Sequence, residues 1–184
     1  LCFLEQRERA HRFLDACSEV FVEAATRRLA RTPPFHGGYL SAFGIWAPGP
    51  VVRTQLDNAT LISPEFYAEH VLPFDRKVFE VFEHTIIHVH SGCLHIADHL
   101  VAEPALDVIQ ISIDHPGGPL AAEVMPILAA IVKEKPLIVT GPVSEYELAE
   151  LRSLEPSGRL CLKVAVVTPE QARAEGLVRP GPTE

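Results

Sequence analysis

Two histidines separated by a single residue are the best candidates for chemistry in this sequence. His88 and His90 lie in the mainly apolar run 85–90, which has the composition of a short β-strand. Because side chains alternate along a strand, both imidazoles project from one face of a sheet, near the end of the strand. Imidazole transfers protons near neutral pH and is a common metal ligand. The pair therefore indicates catalysis or metal binding, with hydrogen bonding to neighbouring strands as the structural alternative.

Two aspartates occupy comparable positions at the ends of other predicted strands. Asp57 ends the segment 51–57, and Asp114 ends the segment 108–114. Carboxylates at such positions can donate protons or bind cationic groups, or they can cap the helix that follows. We therefore predict a catalytic group formed by His88, His90, Asp114 and Asp57. The neighbouring side chains expected to contact a substrate are Ser63, Arg53, Gln55 and His115.

The elements that position these side chains alternate between strands and helices. An amphipathic helix is predicted over 4–29, and glycine and proline make the stretch 35–50 a predicted loop. Five strands are predicted at 51–57, 85–90, 108–114, 137–140 and 159–167, with helices at 63–82, up to about 101, at 121–133, from 144 and from 169. Such alternation is typical of a parallel sheet, so the fold class is α/β: about five βα units preceded by an N-terminal helix. The arrangement fits part of a (β/α)₈ barrel, which needs about 250 residues, or a doubly wound sheet of the flavodoxin type.

In a parallel sheet, the carboxyl ends of all strands meet at one rim, where loops contact ligands without disturbing the core. We therefore expect one pocket at that rim, lined by His88, His90 and Asp114. Asp57 and Ser63 are expected nearby, and Cys17 and Cys161 away from it.

Composition restricts the function further. The chain has 184 residues, 47% of them apolar, and a formal net charge of −8. This length suits one domain, predicted at 1–178, with a disordered tail at 179–184. The acidic balance argues against nucleic acid and anionic membranes as partners, and no apolar run or signal peptide indicates a membrane span or export. We expect a cytoplasmic protein whose partner is a small-molecule substrate.

Several motifs, in order and spacing, resemble the uroporphyrinogen decarboxylase superfamily. The segment 55–67 reads QLDNATLISPEFY and continues with Val-Leu-Pro-Phe at 71–74; it is similar to the superfamily's strand, acidic residue and Ser-Pro helix. The segment 86–92, IIHVHSG, resembles the strand that carries His-x-Cys-Gly, and Thr168-Pro169-Glu170 resembles the Thr-Pro-x-Glu-Asn turn. The resemblance covers about residues 4–177.

The resemblance implies the C-terminal portion of a (β/α)₈ barrel and one of two reactions. One branch decarboxylates a tetrapyrrole without a cofactor, using an aspartate from an earlier part of the barrel that has no counterpart here. The other branch uses zinc to move methyl groups between a corrinoid and a thiol. The zinc branch implies that His88 and His90 are zinc ligands, with His90 in the place of the cysteine of the His-x-Cys-Gly motif.

A third zinc ligand remains open at this stage. Aligning Glu170 with the superfamily's turn makes Cys161 a ligand, whereas aligning 159–167 as one strand puts Cys161 near its start and in the core; we favour the second alignment. Cys93 and His95 are further candidates. A non-catalytic alternative is also open: because the chain begins at Leu1 within a helical pattern, we expect a missing N-terminal part, or a homo-oligomer that covers the open sheet.

Overall fold

The computed structural model describes residues 2–114 and 117–174. The predicted substrate contact His115 and the predicted tail at 179–184 lie outside these ranges. No helix in the described ranges is both long and apolar enough to cross a membrane.

Five parallel strands form the central sheet, in the same order as in the chain. They are β3 (Val51–Leu56), β4 (His84–His90), β5 (Val108–Ser112), β6 (Leu137–Val143) and β7 (Leu160–Val166), and each pairs with the next. This sequential order differs from the 2-1-3-4-5 order of a flavodoxin-type sheet. The α/β class and the five parallel strands are confirmed, and the strand bounds agree with the prediction to within three residues.

Helices precede the sheet and connect its strands. They are α1 (Cys2–Glu5), α2 (Arg7–Leu29), α3 (Pro64–His70), α4 (Leu72–Phe79), α5 (Ala97–Ala102), α6 (Ala121–Glu134), α7 (Glu145–Arg152) and α8 (Pro169–Ala174). Short 3₁₀ helices occupy Ala59–Leu61, Ser91–Ile96 and Glu155–Ser157.

The two faces of the sheet differ in chemistry, because side chains alternate along each strand. One face is aliphatic: Ile87 and Val89 of β4, Ile109 and Ile111 of β5, and Val139 of β6 are fully buried in the main core against the connecting helices. The opposite face carries His88 and His90 of β4 and Gln110 of β5, in lateral register with Gln55 of β3. The polar face is therefore the one available for chemistry.

Three local predictions were wrong. The stretch 35–50 is not only loop, since β1 (Tyr39–Leu40) pairs antiparallel with β2 (Trp46–Ala47) and packs beside Val51 and Ile86. The helix predicted over 63–82 breaks at Val71, because Pro73 has no N–H to donate back to the preceding turn. The first helix breaks similarly at Gln6, whose backbone is not helical.

Strand β6 also runs three residues beyond the predicted end. Gly141 allows this extension: its φ is +113°, and a Cβ there would lie 2.3 Å from the carbonyl oxygen of Ile113. Only glycine tolerates that backbone conformation and that contact together.

Candidate functional site

Three adjacent strands bring the four predicted catalytic residues together at one rim of the sheet. His88 and His90 lie in the last three residues of β4, Asp57 directly follows β3, and Asp114 lies two residues after β5. The parallel pairing aligns these strand ends. The side chains become more exposed toward the rim, from 13% for His88 to 33% for His90 and 44% for Asp57. The expected proximity of the four residues is therefore observed.

Three potential ligand atoms converge within this cluster. The Nε2 atoms of His88 and His90 are 3.3 Å apart. Asp57 Oδ1 lies 3.1 Å from His90 Nε2 and 3.8 Å from His88 Nε2. These atoms form a triangle that faces the end of the sheet.

A buried hydrogen-bond chain orients the His88 ring. Thr140 Oγ1 lies 3.5 Å from the carbonyl oxygen of Ile111 and accepts a 2.7 Å hydrogen bond from Gln110 Nε2. With its amide nitrogen used in this way, fully buried Gln110 presents Oε1 to His88 Nδ1. An amide oxygen only accepts, so Nδ1 carries the proton and Nε2 of the neutral ring presents a lone pair to the triangle.

Asp114 orients the His90 ring in the same manner. Its Oδ2 lies 2.5 Å from His90 Nδ1, and its Oδ1 accepts a 2.7 Å hydrogen bond from Ser112 Oγ. The contact of Asp114 with Nδ1 is shorter than the 3.1 Å contact of Asp57 with Nε2, so the tautomer with its proton on Nδ1 directs the Nε2 lone pair at the triangle. Carboxylate or carbonyl partners of this kind commonly orient histidines that bind metals.

Asp57 carries a carboxylate that can bind a cation. Partial burial of its carboxyl acts to raise the pKa, but the hydrogen bond from Gln55 and the charges of His90 and His88 outweigh this and hold the pKa below its ordinary value. Gln55 accepts in turn from Arg53 Nη2. Asp57 is therefore an anion over the physiological pH range.

The triangle fits a small divalent metal ion. Zinc bonds of about 2.0–2.1 Å in a tetrahedral site separate neighbouring ligand atoms by about 3.3 Å, and the observed separations are 3.1, 3.3 and 3.8 Å. When neither Nε2 atom carries a proton, the Asp57 carboxylate lies beside two imidazole lone pairs, and these groups repel one another. An ion with a charge of +2 removes this repulsion, and three protein ligands leave a fourth position open.

The remaining sequence candidates divide into neighbours of the cluster and structural residues. Cys93 is buried and its Sγ lies 3.7 Å from the carbonyl oxygen of Asp57, and His95 Nε2 bonds the carbonyl oxygens of Ala59 and Ile62. Both position the loop after β3. Ser63 caps α3 by accepting from the backbone N–H of Phe66 at 3.2 Å, and within the described residues no hydrogen bond joins it to the cluster.

The two cysteines expected away from the site have no hydrogen bond or ion pair with the cluster in the described part of the chain. Cys17 is exposed on α2. Cys161 is half-buried near the start of β7 and lies outside the buried core, so its expected place in the core was wrong. The register places it on the polar face, in line with Ile138 of β6.

Sequence reasoning missed Gln110 and Ser112. Both lie in β5, and a polar side chain within an otherwise aliphatic strand could have indicated that each contacts the site. Phe43, in the hairpin loop between β1 and β2, was also missed; its ring stacks on His88 with the ring centres 6.2 Å apart.

The search for similar proteins is negative at every level. No family model, no curated protein and no solved structure matches this chain.

Proposed function

We propose that this protein is a metal-dependent enzyme in which Asp57, His88 and His90 hold a zinc ion. The observation that carries this proposal is the convergence of three lone-pair atoms at 3.1–3.8 Å with the second nitrogen of each imidazole occupied by Gln110 or Asp114.

The protein residues have separate tasks in this proposal. Gln110 and Asp114 hold the two rings so that Nε2 of each faces the ion, and Asp57 supplies the negative charge. Phe43 stacks on His88 and excludes water from one side of the site. A zinc ion bound there lowers the pKa of a coordinated thiol or water and so provides a nucleophile at neutral pH.

Of the two reactions implied by the resemblance to the uroporphyrinogen decarboxylase superfamily, a zinc site favours methyl transfer between a corrinoid and a thiol. Asp57, His88 and His90 would hold the zinc, and the zinc would supply a thiolate that accepts the methyl group while the corrinoid keeps the electron pair of the broken bond. The sequential order of the parallel strands is consistent with part of a (β/α)₈ barrel. Methyl transfer extends the metal proposal and depends on it.

Metal analysis of the purified chain tests the proposal. We expect about one zinc per chain after zinc loading and removal of free metal, and less than a tenth of that in His88→Ala and His90→Ala variants. His99→Ala is a matched control, because His99 lies on α5 away from the triangle. Zinc binding by wild type that persists in both ligand variants would contradict the site.

A second candidate, decarboxylation without a cofactor, is favoured by the position of His90 between two carboxylates. Asp57 lies 3.1 Å from Nε2 and Asp114 lies 2.5 Å from Nδ1, so a protonated ring would be stabilised at both nitrogens. When carbon dioxide leaves, the bonding electrons remain on the substrate carbon, and the ring can transfer its Nε2 proton to that carbon before solvent replaces it. Carbon dioxide release by zinc-free protein, lost in His90→Ala, would favour this candidate over the zinc enzyme.

A further inference from the structure

A polar cavity lies beside the start of β3. It has a volume of about 440 Å³ and is enclosed by the end of α2, the β1–β2 hairpin and the start of β3. Two arginines, Arg28 and Arg53, line it together with the hydroxyl-bearing side chains of Tyr39 and Ser41. None of the four predicted catalytic residues is among its lining residues.

Neither arginine that lines this cavity has an acidic partner in the described part of the chain. Within 2–114 and 117–174, no carboxylate oxygen lies within the 4.0 Å ion-pair distance of Arg28 or Arg53. Arg27, one position earlier on α2, is paired with Glu23. Two arginines that line one cavity and have no acidic partner in the described ranges favour an anionic ligand there.

The cavity also presents free hydrogen-bond donors. Arg53 uses one of its five N–H groups on Gln55 and rests with its guanidinium carbon 5.4 Å from the centre of the Phe43 ring. Ser41 Oγ accepts from the backbone N–H groups of Phe43 and Ile45, so its own proton is free to donate. A lining with guanidinium and hydroxyl donors suits a carboxylate or a phosphate group.

We propose that this cavity binds a carboxylate or phosphate group of a small-molecule ligand, and that the ligand is the substrate of the metal centre. The second half of this inference rests on the proposed function. It is supported by the hydrogen-bonded row of Arg53, Gln55 and Asp57 on one edge of the sheet. The Arg53 guanidinium and the Asp57 carboxylate are joined through the single amide of Gln55, so one small molecule can contact Arg53 and the metal centre together.

Binding of succinate and of inorganic phosphate to the metal-free protein tests the cavity directly. Trp46 is the single tryptophan of the chain, and it pairs across the hairpin with Leu40, which lines the cavity. Its fluorescence is therefore the readout, at constant ionic strength. We expect a saturable change with at least one probe, and the stronger of the two identifies carboxylate or phosphate as the preferred group.

Arginine variants distinguish a specific anion site from nonspecific electrostatic attraction of the probes. Arg28→Gln and Arg53→Gln are each expected to raise the dissociation constant at least tenfold, and Arg53→Lys is a second variant that retains the charge if Arg53→Gln does not fold. Arg31→Gln is the matched control, since Arg31 is exposed just beyond α2 and does not line the cavity. Absence of saturable binding to wild type, or equal weakening in the control, overturns the anion site.

A comparison of the zinc-loaded and zinc-free protein tests whether the bound ligand is the substrate of the metal centre. Removing zinc from wild type with a chelator is expected to keep succinate or phosphate binding within threefold of that of the zinc-loaded protein. If wild type binds the anion but no zinc, the anion site stands and the bridging substrate is wrong. If wild type binds zinc but neither probe, the metal proposal stands and the anion site is wrong.

Discussion

Replacing Gln110 by leucine isolates the contribution of the buried amide to the metal site. Gln110 is fully buried, and its Oε1 is the only acceptor in the described residues for the Nδ1 proton of His88. Leucine has a similar volume but no acceptor, so the ring loses both its orientation and its fixed proton position. Loss of such a partner weakens metal binding by about 10- to 100-fold, which corresponds to roughly 1.4–2.7 kcal/mol.

Zinc affinity, measured by competition with a chelating indicator at constant pH, is the assay for this change. Circular dichroism establishes that the Gln110→Leu variant retains its secondary structure. Gln110→Glu keeps an oxygen beside His88 Nδ1 and is expected to recover most of the affinity. Thr54→Val is the control. Thr54 is buried on β3, next to the strand of His88, but its side chain lies on the aliphatic face of the sheet. A folded Gln110→Leu variant that binds zinc within twofold of wild type would refute the assignment of His88 as an oriented ligand.

Four further predictions concern stability and association. Burial raises the pKa of Asp75 to about 6, although the hydrogen bond from Tyr67 acts to lower it. The folded state therefore favours the neutral carboxyl, and the free energy of unfolding falls as the pH rises from about 4 through 6. Asp75→Asn is expected to remove this pH dependence in urea denaturation and to add about 1–3 kcal/mol to the free energy of unfolding at pH 7. Thr54→Val is expected to raise the free energy of unfolding by about 1 kcal/mol, because the Thr54 hydroxyl is buried with no partner among the described residues; a loss of stability in urea melts would contradict this. Ser63→Ala is expected to lower the free energy of unfolding by about 1 kcal/mol through loss of the α3 cap and to leave zinc affinity unchanged, and a large loss of zinc would instead connect Ser63 to the site. Since β7 is an edge strand with Val166 47% exposed, sedimentation should detect self-association that Val166→Lys reduces; a monomer at all concentrations would rule out the sheet edge as a contact between copies.

Much of the fold was accessible from the sequence because it depends on local periodicity. Mainly apolar runs that end in polar or glycine-rich turns marked the strands of the sheet, and Ser63 and Ser144 marked the starts of α3 and α7, where their side chains accept from backbone N–H groups. The predictions were wrong where a single residue or a tertiary contact outweighs the local periodicity. Pro73 divides one predicted helix into two, and the hairpin at 39–47 forms because packing on the sheet compensates for a composition typical of loops.

The candidate site combines local and non-local information. His88 and His90 are two residues apart, so strand geometry alone places them on one face, and chain order alone puts Asp57 and Asp114 at strand ends. The sequence by itself therefore determined which groups could meet at the rim.

The tertiary structure alone decided how those groups meet. Which imidazole nitrogen faces Asp57 depends on Gln110 and Thr140, which lie 22 and 52 residues after His88 and reach it only through the register of β4, β5 and β6. The cavity between Arg28 and Arg53 likewise requires the end of α2 to meet the start of β3 across the hairpin. Contacts of this kind depend on strand order and lateral register, which arise from packing of the whole chain and have no periodic signature in any one segment.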